Sequence, residues 1–392
     1  MRKLYTFVLY VLLPLFLVGC TDSGKEEKSR NKLRVNTRLA ALPETVRSPI
    51  DNPASAEKEA LGKLLFYDPV LSGNKDLACA TCHHPANGYA EFLDISIGPN
   101  SHGLGSKRRF NALNDIPFVK RNAQTIINTV FNGIGPNKRY EPEQATMFWD
   151  DRVKSLEKQA LEPIKAFEEM RGHGHEEQEI LETVIVRLKK IPKYRELFEL
   201  AFGKENAITI DNLAKAIAAF ERSIVANNSR FDQYMRGNKD AILISEKEGL
   251  ELFKSVGCVN CHNGPMFSDY KMHVLGTPEN NKLRKPDGGV QDTFAFRTPT
   301  LRNLRFTAPY MHNGSLHSLK RVLEFYEDIA NGKERNPNVP PKKYDPLVRE
   351  LELSVKEMSL IISFLNTLND DSFDKEIPES VPSGLPVGGN IQ

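Results

Sequence analysis

Apolar residues in this chain recur mainly at helical spacing, and no segment alternates long enough to indicate a β-strand. Two stretches, 57–66 and 210–225, show the helical spacing most clearly. The apolar positions that would share a helix face are Ala60, Leu61, Leu64 and Leu65 in the first stretch, and Leu213, Ile217, Phe220 and Ile224 in the second. The pattern predicts an all-α protein.

Capping signals predict two further helices. Ser245 with Glu248 matches the capping-box pattern, which predicts a helix over 246–256, and Gly257 is expected to end it. A last amphipathic helix is predicted over 355–368. The second half of the chain is therefore expected to be as helical as the first.

The first twenty residues have the features of an export signal. A short basic start precedes an apolar run over 4–18, which is shorter than a membrane-spanning helix requires. The run leads to Cys20 in a pattern similar to the bacterial lipoprotein signal, in which the cysteine is lipidated. An ordinary secretory signal with an incidental cysteine is the alternative. We expect a periplasmic lipoprotein held to the membrane only by its lipid, with residues 1–19 removed and 20–41 as a flexible tether.

The overall composition is that of a soluble globular protein. Of the 392 residues, 40% are hydrophobic and 27% are charged, and 53 Lys and Arg nearly balance 51 Asp and Glu. A protein that binds nucleic acid needs a basic excess or a basic face. With a formal net charge of only +2, we expect no nucleic-acid partner.

Cysteine usage points to a specific cofactor. Apart from Cys20, the cysteines form two C-x-x-C-H motifs, which are the signature of covalent haem attachment. Two thiols one helical turn apart can add to the two vinyl groups of one porphyrin, and the adjacent histidine can then bind the iron. A zinc site or a redox dithiol is the alternative, but two complete copies favour two haem c groups. The motif residues are Cys79, Cys82 and His83, and Cys258, Cys261 and His262.

Several motifs, in one order, resemble those of the bacterial di-haem cytochrome c peroxidases and their MauG-like relatives. They are LGKLLFYDPVLS (61–72), CATCHHPANGYA (79–90), KRNAQTIINTVFN (120–132), FWDDRVKSLEKQALEPI (148–164), CVNCHNGPMFSD (258–269) and FRTPTLRNLRFTAPYMHNGSLHSL (296–319). The resemblance implies two c-type cytochrome domains packed face to face, each with one covalent haem. The expected ranges are 42–235 for the peroxidatic domain, 236–372 for the electron-transfer domain and 373–392 for a C-terminal tail.

The resemblance also assigns residues to the peroxide chemistry. Trp149, the single tryptophan, matches a family residue between the haems and would relay electrons. Gln159, Pro163 and Glu169 match positions on the open face of the first haem. Glu169 is the candidate acid–base group, because a carboxyl group in a partly apolar pocket has a raised pKa. The adjacent Glu168 is the alternative, and Gln159 would orient peroxide by hydrogen bonding.

Three residues match the positions around a calcium ion that lies between the haems in the family. Asn122 would supply its amide oxygen, whereas Thr307 and Pro309 would supply backbone carbonyl oxygens. Calcium prefers oxygen ligands of this kind. We therefore expect one calcium ion beside the two haems.

The axial ligands of iron distinguish the subclasses. Tyr326 stands where MauG-like members have a tyrosine ligand to the second haem and other members have a methionine. A phenolate lowers the haem potential, whereas methionine raises it. Met266, Met272 and Met311 remain alternative ligands. His102 is the remaining candidate for a distal ligand of the first haem, which we expect to be five-coordinate and open.

These features predict a periplasmic peroxidase that reduces hydrogen peroxide with electrons from a small cytochrome or copper protein. MauG-like oxidation of a partner protein is a second hypothesis, and Tyr326 favours it. A di-haem electron carrier is a third, but a carrier has no use for an acid–base group above an open iron site. The sequence is compatible with a homodimer and does not set the oligomeric state.

Overall fold

The computed structural model of the protein describes Met1 and residues 38–392. Apart from Met1, the predicted signal peptide, the lipidation site Cys20 and the tether up to residue 37 lie outside the described residues. Within the described part of the chain, no helix is long and apolar enough to cross a membrane.

Helices dominate the described residues, and the few strands are only two or three residues long. We call residues up to 235 the first half of the chain and the residues after 235 the second half. The helices of the first half are α1 (Ala56–Tyr67), α2 (Cys79–Cys82), α3 (Leu156–Gln159), α4 (Glu162–Lys165), α5 (Ile180–Lys190), α6 (Pro192–Phe202), α7 (Ile210–Ser223) and α8 (Arg230–Met235). Those of the second half are α9 (Ile244–Ser255), α10 (Leu319–Ala330) and α11 (Val355–Asn366). A single π-helical turn over Phe167–Arg171 follows α4. The antiparallel strand pairs are β1 (Ser101–His102) with β2 (Arg109–Phe110), β3 (Thr146–Met147) with β4 (Val153–Lys154), and β5 (Met272–Val274) with β6 (Ala295–Arg297).

Each half contains a pair of helices that cross at a glycine. In the first half, a Cβ atom on Gly62 of α1 would lie 1.9 Å from the carbonyl oxygen of Ala216 in α7. In the second half, a Cβ atom on Gly249 of α9 would lie 2.0 Å from the carbonyl oxygen of Leu360 in α11. Any larger residue would push either pair apart. The periodicity predicted α1, α7 and α11, and all three are confirmed.

The predicted start of α9 is wrong. The helix begins at Ile244, and the Leu243 amide donates to Oε2 of Glu246 at 2.7 Å. Ser245 therefore lies in the first turn instead of capping it. A glutamate can satisfy the backbone amide at the cap position without a serine there, and the sequence pattern did not show this. Gly257 follows the helix with φ +98, as expected for a helix terminator.

Two hydrophobic clusters fill the two halves. The first is built mainly on α1, α5, α6 and α7, and the second on α9 and α11. Phe231 of α8, the helix that ends at the predicted domain boundary, packs in the second cluster. The division into two haem domains at this boundary stays a prediction.

The two ends of the described chain cross to opposite halves. At the N-terminal end, the Gly264 amide donates to the carbonyl oxygen of Arg38 at 3.1 Å, and Leu39 packs in the second cluster. At the C-terminal end, the predicted tail runs back over the first half. There the Ser383 hydroxyl donates to Oδ1 of Asp68 at 2.6 Å. Each half is therefore completed by a segment from the far end of the chain.

The C-terminal tail also reaches the first C-x-x-C-H motif. The Thr81 hydroxyl, within the motif, donates to the carbonyl oxygen of Gly388 at 2.7 Å. The Gly388 amide donates to the carbonyl oxygen of Tyr67 at 2.8 Å. The Tyr89 hydroxyl donates to the carbonyl oxygen of Asp374 at 2.8 Å. The tail is thus part of the structure that surrounds the first motif.

Candidate active site

A cavity of about 770 Å³ brings the two C-x-x-C-H motifs together. The main candidate residues that the sequence predicted, other than Cys20, contribute to its lining. These residues are Cys79, Cys82, His83, Asn122, Trp149, Gln159, Pro163, Glu169, Cys258, Cys261, His262, Thr307, Pro309 and Tyr326. Residues from distant parts of the sequence therefore meet on the walls of one cavity.

Local hydrogen bonds orient the histidine of the first motif. The His83 amide donates to the carbonyl oxygen of Cys79 at 2.9 Å, which continues the turn of α2. Nδ1 of His83 lies 3.0 Å from the carbonyl oxygen of Tyr89. Because a carbonyl oxygen only accepts, Nδ1 carries the hydrogen and Nε2 keeps the lone pair that a metal would bind.

The second motif repeats this arrangement. The His262 amide donates to the carbonyl oxygen of Cys258 at 2.9 Å, and Nδ1 of His262 donates to the carbonyl oxygen of Phe267 at 2.9 Å. Phe267 and its counterpart Tyr89 both have left-handed backbones, with φ of +54 and +52. Sequence reasoning missed both residues, and the one available signal was an aromatic residue shortly after each motif.

The state of the motif cysteines fits covalent haem better than a redox dithiol. The four form no disulfide within the described residues. Burial raises the pKa of Cys79 and of Cys258 to about 12, so both are neutral thiols. Disulfide exchange needs a thiolate, so a redox-active dithiol fits these cysteines poorly. Two thiols beside an imidazole with a free Nε2, on the wall of a large cavity, fit haem c at each motif.

The three distal candidates come from consecutive short helical segments. Gln159 ends α3, Pro163 lies in α4, and Glu169 lies in the π turn. One short stretch of the chain therefore brings all three residues to the lining of the cavity. Turns of the π type occur frequently at functional sites. Glu168 also lines the cavity, so it remains the alternative acid–base residue.

Burial is the main influence on the Glu169 carboxyl group. Burial, opposed by the charge of Arg152 and reinforced by the nearby charges of Glu168 and Glu162, raises the pKa of Glu169 to about 7. An acid–base group works best when its pKa lies near the working pH. Glu169 is therefore suited to accept and return a proton near neutral pH.

Aromatic rings connect the two halves at Trp149. Its Nε1 donates to the carbonyl oxygen of Asn122 at 3.0 Å, and its ring meets His312 edge to face with centroids 6.5 Å apart. His312 stacks on Phe296 with centroids 3.6 Å apart. Burial lowers the pKa of His312 to about 3, so its ring is neutral. Trp149 therefore contacts residues of both halves of the chain.

The structure orients the amide of Asn122. Its Nδ2 donates to the carbonyl oxygens of Leu93 at 2.7 Å and Asp94 at 3.3 Å. Oδ1 is thereby left as the atom that can bind a cation. Thr307 and Pro309 line the same cavity. The oxygen donors suit calcium, and the ion itself stays a prediction.

Tyr326 of α10 lines the cavity, and burial raises the pKa of its hydroxyl group, with a further contribution from the thiols of the second motif. It therefore lies close to that motif. Met266 and Met311 also line the cavity, whereas Met272 lies outside its lining. His102 is exposed on β1 and also lies outside the lining.

Two buried carboxyl groups near the first motif were not predicted from the sequence. Burial raises the pKa of Glu91 to about 7 and that of Glu221 to about 8. Glu91 neighbours Cys82, and Glu221 neighbours Cys79. No sequence signal separates them from surface glutamates, since their burial depends on tertiary packing.

Comparisons with known proteins identify the family of this chain. A sequence profile for the family described as di-haem cytochrome c peroxidase matches residues 56–240. The methylamine utilization protein MauG of Methylorubrum extorquens is 34% identical over 353 residues, which cover 87% of this chain and 88% of that protein. The cytochrome c551 peroxidase of Nitrosomonas europaea is 32% identical over 84% of this chain and 85% of that protein.

A solved structure supports the same likeness. The crystal structure of a MauG-like protein associated with microbial copper homeostasis superposes with a TM-score of 0.67 at 27% identity. The match covers 84% of this chain and 95% of that protein.

Proposed function

The chain belongs to the di-haem cytochrome c peroxidase and MauG family, and from that premise we propose that it reduces hydrogen peroxide to water in the periplasm. A small redox protein, either a cytochrome or a copper protein, supplies the electrons. The observation that supports this reaction best is the position of Glu169 and Gln159 on the wall of the cavity that contains the first motif. An electron carrier would not need this pair.

The residues present would hold two haem c groups. The first would be held by Cys79, Cys82 and His83, and the second by Cys258, Cys261 and His262, with Tyr326 as a further residue that would bind its iron. When bound, the haems supply the iron that holds peroxide and the one-electron redox chemistry. Asn122, Thr307 and Pro309 would bind one calcium ion.

The chain's own residues move the protons. Glu169 takes the proton from one peroxide oxygen and returns it to the other as the O–O bond breaks. Gln159 donates an amide hydrogen bond that orients the peroxide, and Pro163 keeps its part of the wall free of an amide donor. Trp149 relays electrons between the two halves. Each turnover takes up two electrons and two protons and yields two water molecules.

Two assays on one preparation test the proposal. The first follows peroxide consumption with a reduced small cytochrome, and the second titrates the oxidised protein with peroxide while its absorption is recorded. We expect turnover in the first assay, and intact mass after acid–acetone extraction should show both haems retained. Cytochrome oxidation that does not depend on peroxide would contradict the proposal and favour an electron carrier.

Tyr326 supports a second candidate function. The MauG relative is matched over most of its length. Tyr326 lies close to the thiols of the second motif, where it would supply a phenolate ligand to iron. In this alternative, the oxidising equivalents from peroxide are drawn from tryptophans of a partner protein at the surface. A spectral change that persists after peroxide addition, without turnover of a cytochrome donor, would favour it.

Attachment and assembly complete the proposal. Lipidation of Cys20 would hold the protein at the membrane surface, and the charge balance speaks against a nucleic-acid partner. A homodimer is compatible with the chain. The redox donor would then dock from the periplasm.

A further inference from the structure

We propose that Gly98 and Arg108 are positioning residues that hold the π turn, and with it Glu169, in place. The inference rests on the acid–base role proposed for Glu169. It assigns a function to the loop over 97–108, in which only Gly98 lines the cavity.

The backbone of Gly98 supports the π turn directly. A Cβ atom on Gly98 would lie 2.0 Å from the carbonyl oxygen of Glu168 and 2.9 Å from that of Glu169. Gly98 is not among the residues with positive φ, so its own backbone conformation does not require glycine. The need for glycine comes from the close contact with the peptide groups that carry Glu169.

The π turn depends on support from outside. Its backbone hydrogen bonds join residues five positions apart. For example, the Gly172 amide donates to the carbonyl oxygen of Phe167 at 3.1 Å. Such turns are rare and occur frequently at functional sites. On another side, the Gly73 amide donates to the carbonyl oxygen of Met170 at 2.8 Å. Gly73 and Gly98 therefore hold the turn between two backbone segments.

Arg108 makes the loop rigid. Its side chain is fully buried, and Nε donates to the carbonyl oxygen of Ile97 at 2.7 Å. Its other nitrogens donate to the carbonyl oxygen of Gly103 at 2.9 Å and to the Ser101 hydroxyl at 2.7 Å. The carboxyl group of Glu91 lies nearby, with Oε1 3.9 Å from Nε. One guanidinium group thus fixes the loop on both sides of Gly98.

The catalytic consequence follows from geometry. A side chain at position 98 must displace the carbonyl groups of residues 168 and 169, because backbone atoms cannot rotate away as a flexible side chain can. Misplacement of a reacting group by about 1 Å can cost about 100-fold in rate. A displaced turn would also alter the charges that face Glu169, which come from Arg152, Glu168 and Glu162.

The test compares Gly98→Ala with Gly174→Ala in the haem-loaded protein. A Cβ atom on Gly174 would lie 3.6 Å from Oδ1 of Asn74, which is ordinary contact, and Gly174 also lacks a positive φ. We expect Gly98→Ala to lower kcat/KM for peroxide by at least about 10-fold and to shift the pH midpoint of that parameter. Hydrogen exchange of the amides over 166–172 should become faster. Gly174→Ala should match the wild type in all three measurements.

Arg108→Lys keeps the charge but loses the forked donor, and it should show the same changes in weaker form. If Gly98→Ala does not retain haem, Arg108→Lys decides the question. The positioning role would be refuted if the variants that retain haem showed the hydrogen exchange and the pH midpoint of the wild type. Glu169→Gln, measured in parallel, tests the acid–base role separately from the positioning role. An unchanged rate in that variant would refute the acid–base role of Glu169.

Discussion

Burial sets the pH at which Glu169 can act. The carboxylate is the form that accepts a proton from peroxide, and burial raises the pKa of Glu169 to about 7. We therefore predict that the rate of peroxide activation rises with pH through about 7. In Glu169→Gln the rate should fall at least about 100-fold and lose this pH dependence, with haem content unchanged. Stopped-flow mixing with peroxide measures both effects.

Glu168→Gln is the matched variant for this experiment, because the two carboxyl groups are adjacent and both line the cavity. A large effect of Glu168→Gln together with a small effect of Glu169→Gln would move the acid–base role to Glu168.

Whether Tyr326 binds the iron at the second motif can be tested by changing that one residue. If Tyr326 binds iron as a phenolate, Tyr326→Met should raise the potential of that haem, since a neutral ligand stabilises ferric iron less. The wild-type oxidised protein should lack the methionine–iron charge-transfer band. Potentiometric titration with optical detection measures the change.

Tyr310→Phe provides the control for Tyr326→Phe. Tyr310 also lines the cavity, but its hydroxyl donates to the carbonyl oxygen of Leu304 at 2.9 Å. The spectrum should change in Tyr326→Phe and not in Tyr310→Phe. Identical spectra in all three proteins would exclude Tyr326 as a ligand and point to Met266 or Met311.

Among the elements, the regular helices were predictable and the π turn was not. Apolar residues at helical spacing revealed α1 and α7, because one face of each helix packs in the core. The π turn depends on contacts with Gly73 and Gly98, which are remote in sequence. Sequence reasoning could place Glu169 through family resemblance, but it could not show how the residue is held.

A buried ion pair joins α8 to the second half. Arg302 donates to both oxygens of Asp232, at 2.8 and 2.9 Å, and both side chains are almost fully buried. Burial raises the pKa of Asp232, but the charge and hydrogen bonds of Arg302 outweigh this effect, so the pKa lies below its usual value. We predict that Arg302→Met destabilises the protein by about 3–5 kcal/mol, because an unpaired carboxylate would remain in the core.

Chemical denaturation of Arg302→Met beside Arg305→Met measures this cost. Arg305 is exposed, and its replacement should change the free energy of unfolding by no more than about 0.5 kcal/mol. Equal stability of the two variants would show that the ion pair contributes no net stabilisation.

For the whole molecule, the sequence predicts attachment to a membrane surface through Cys20. The Cys20→Ser variant should appear in the soluble periplasmic fraction or remain unprocessed, because its N-terminus can no longer carry the lipid. Cell fractionation with N-terminal mass analysis distinguishes these results. A variant that is still processed and still sediments with membranes would contradict lipidation at this cysteine.

The crossing of the chain ends limits how the gene can be divided. A fragment over 42–235 would lack the tail segment that contacts Thr81 and Tyr89, and a fragment over 236–372 would lack the residues that pair with Gly264. Neither product would be a complete small cytochrome, even though each would contain one haem motif. Splitting the gene at the middle therefore removes a part from both products, whereas a circular permutant that keeps both terminal segments could preserve every contact.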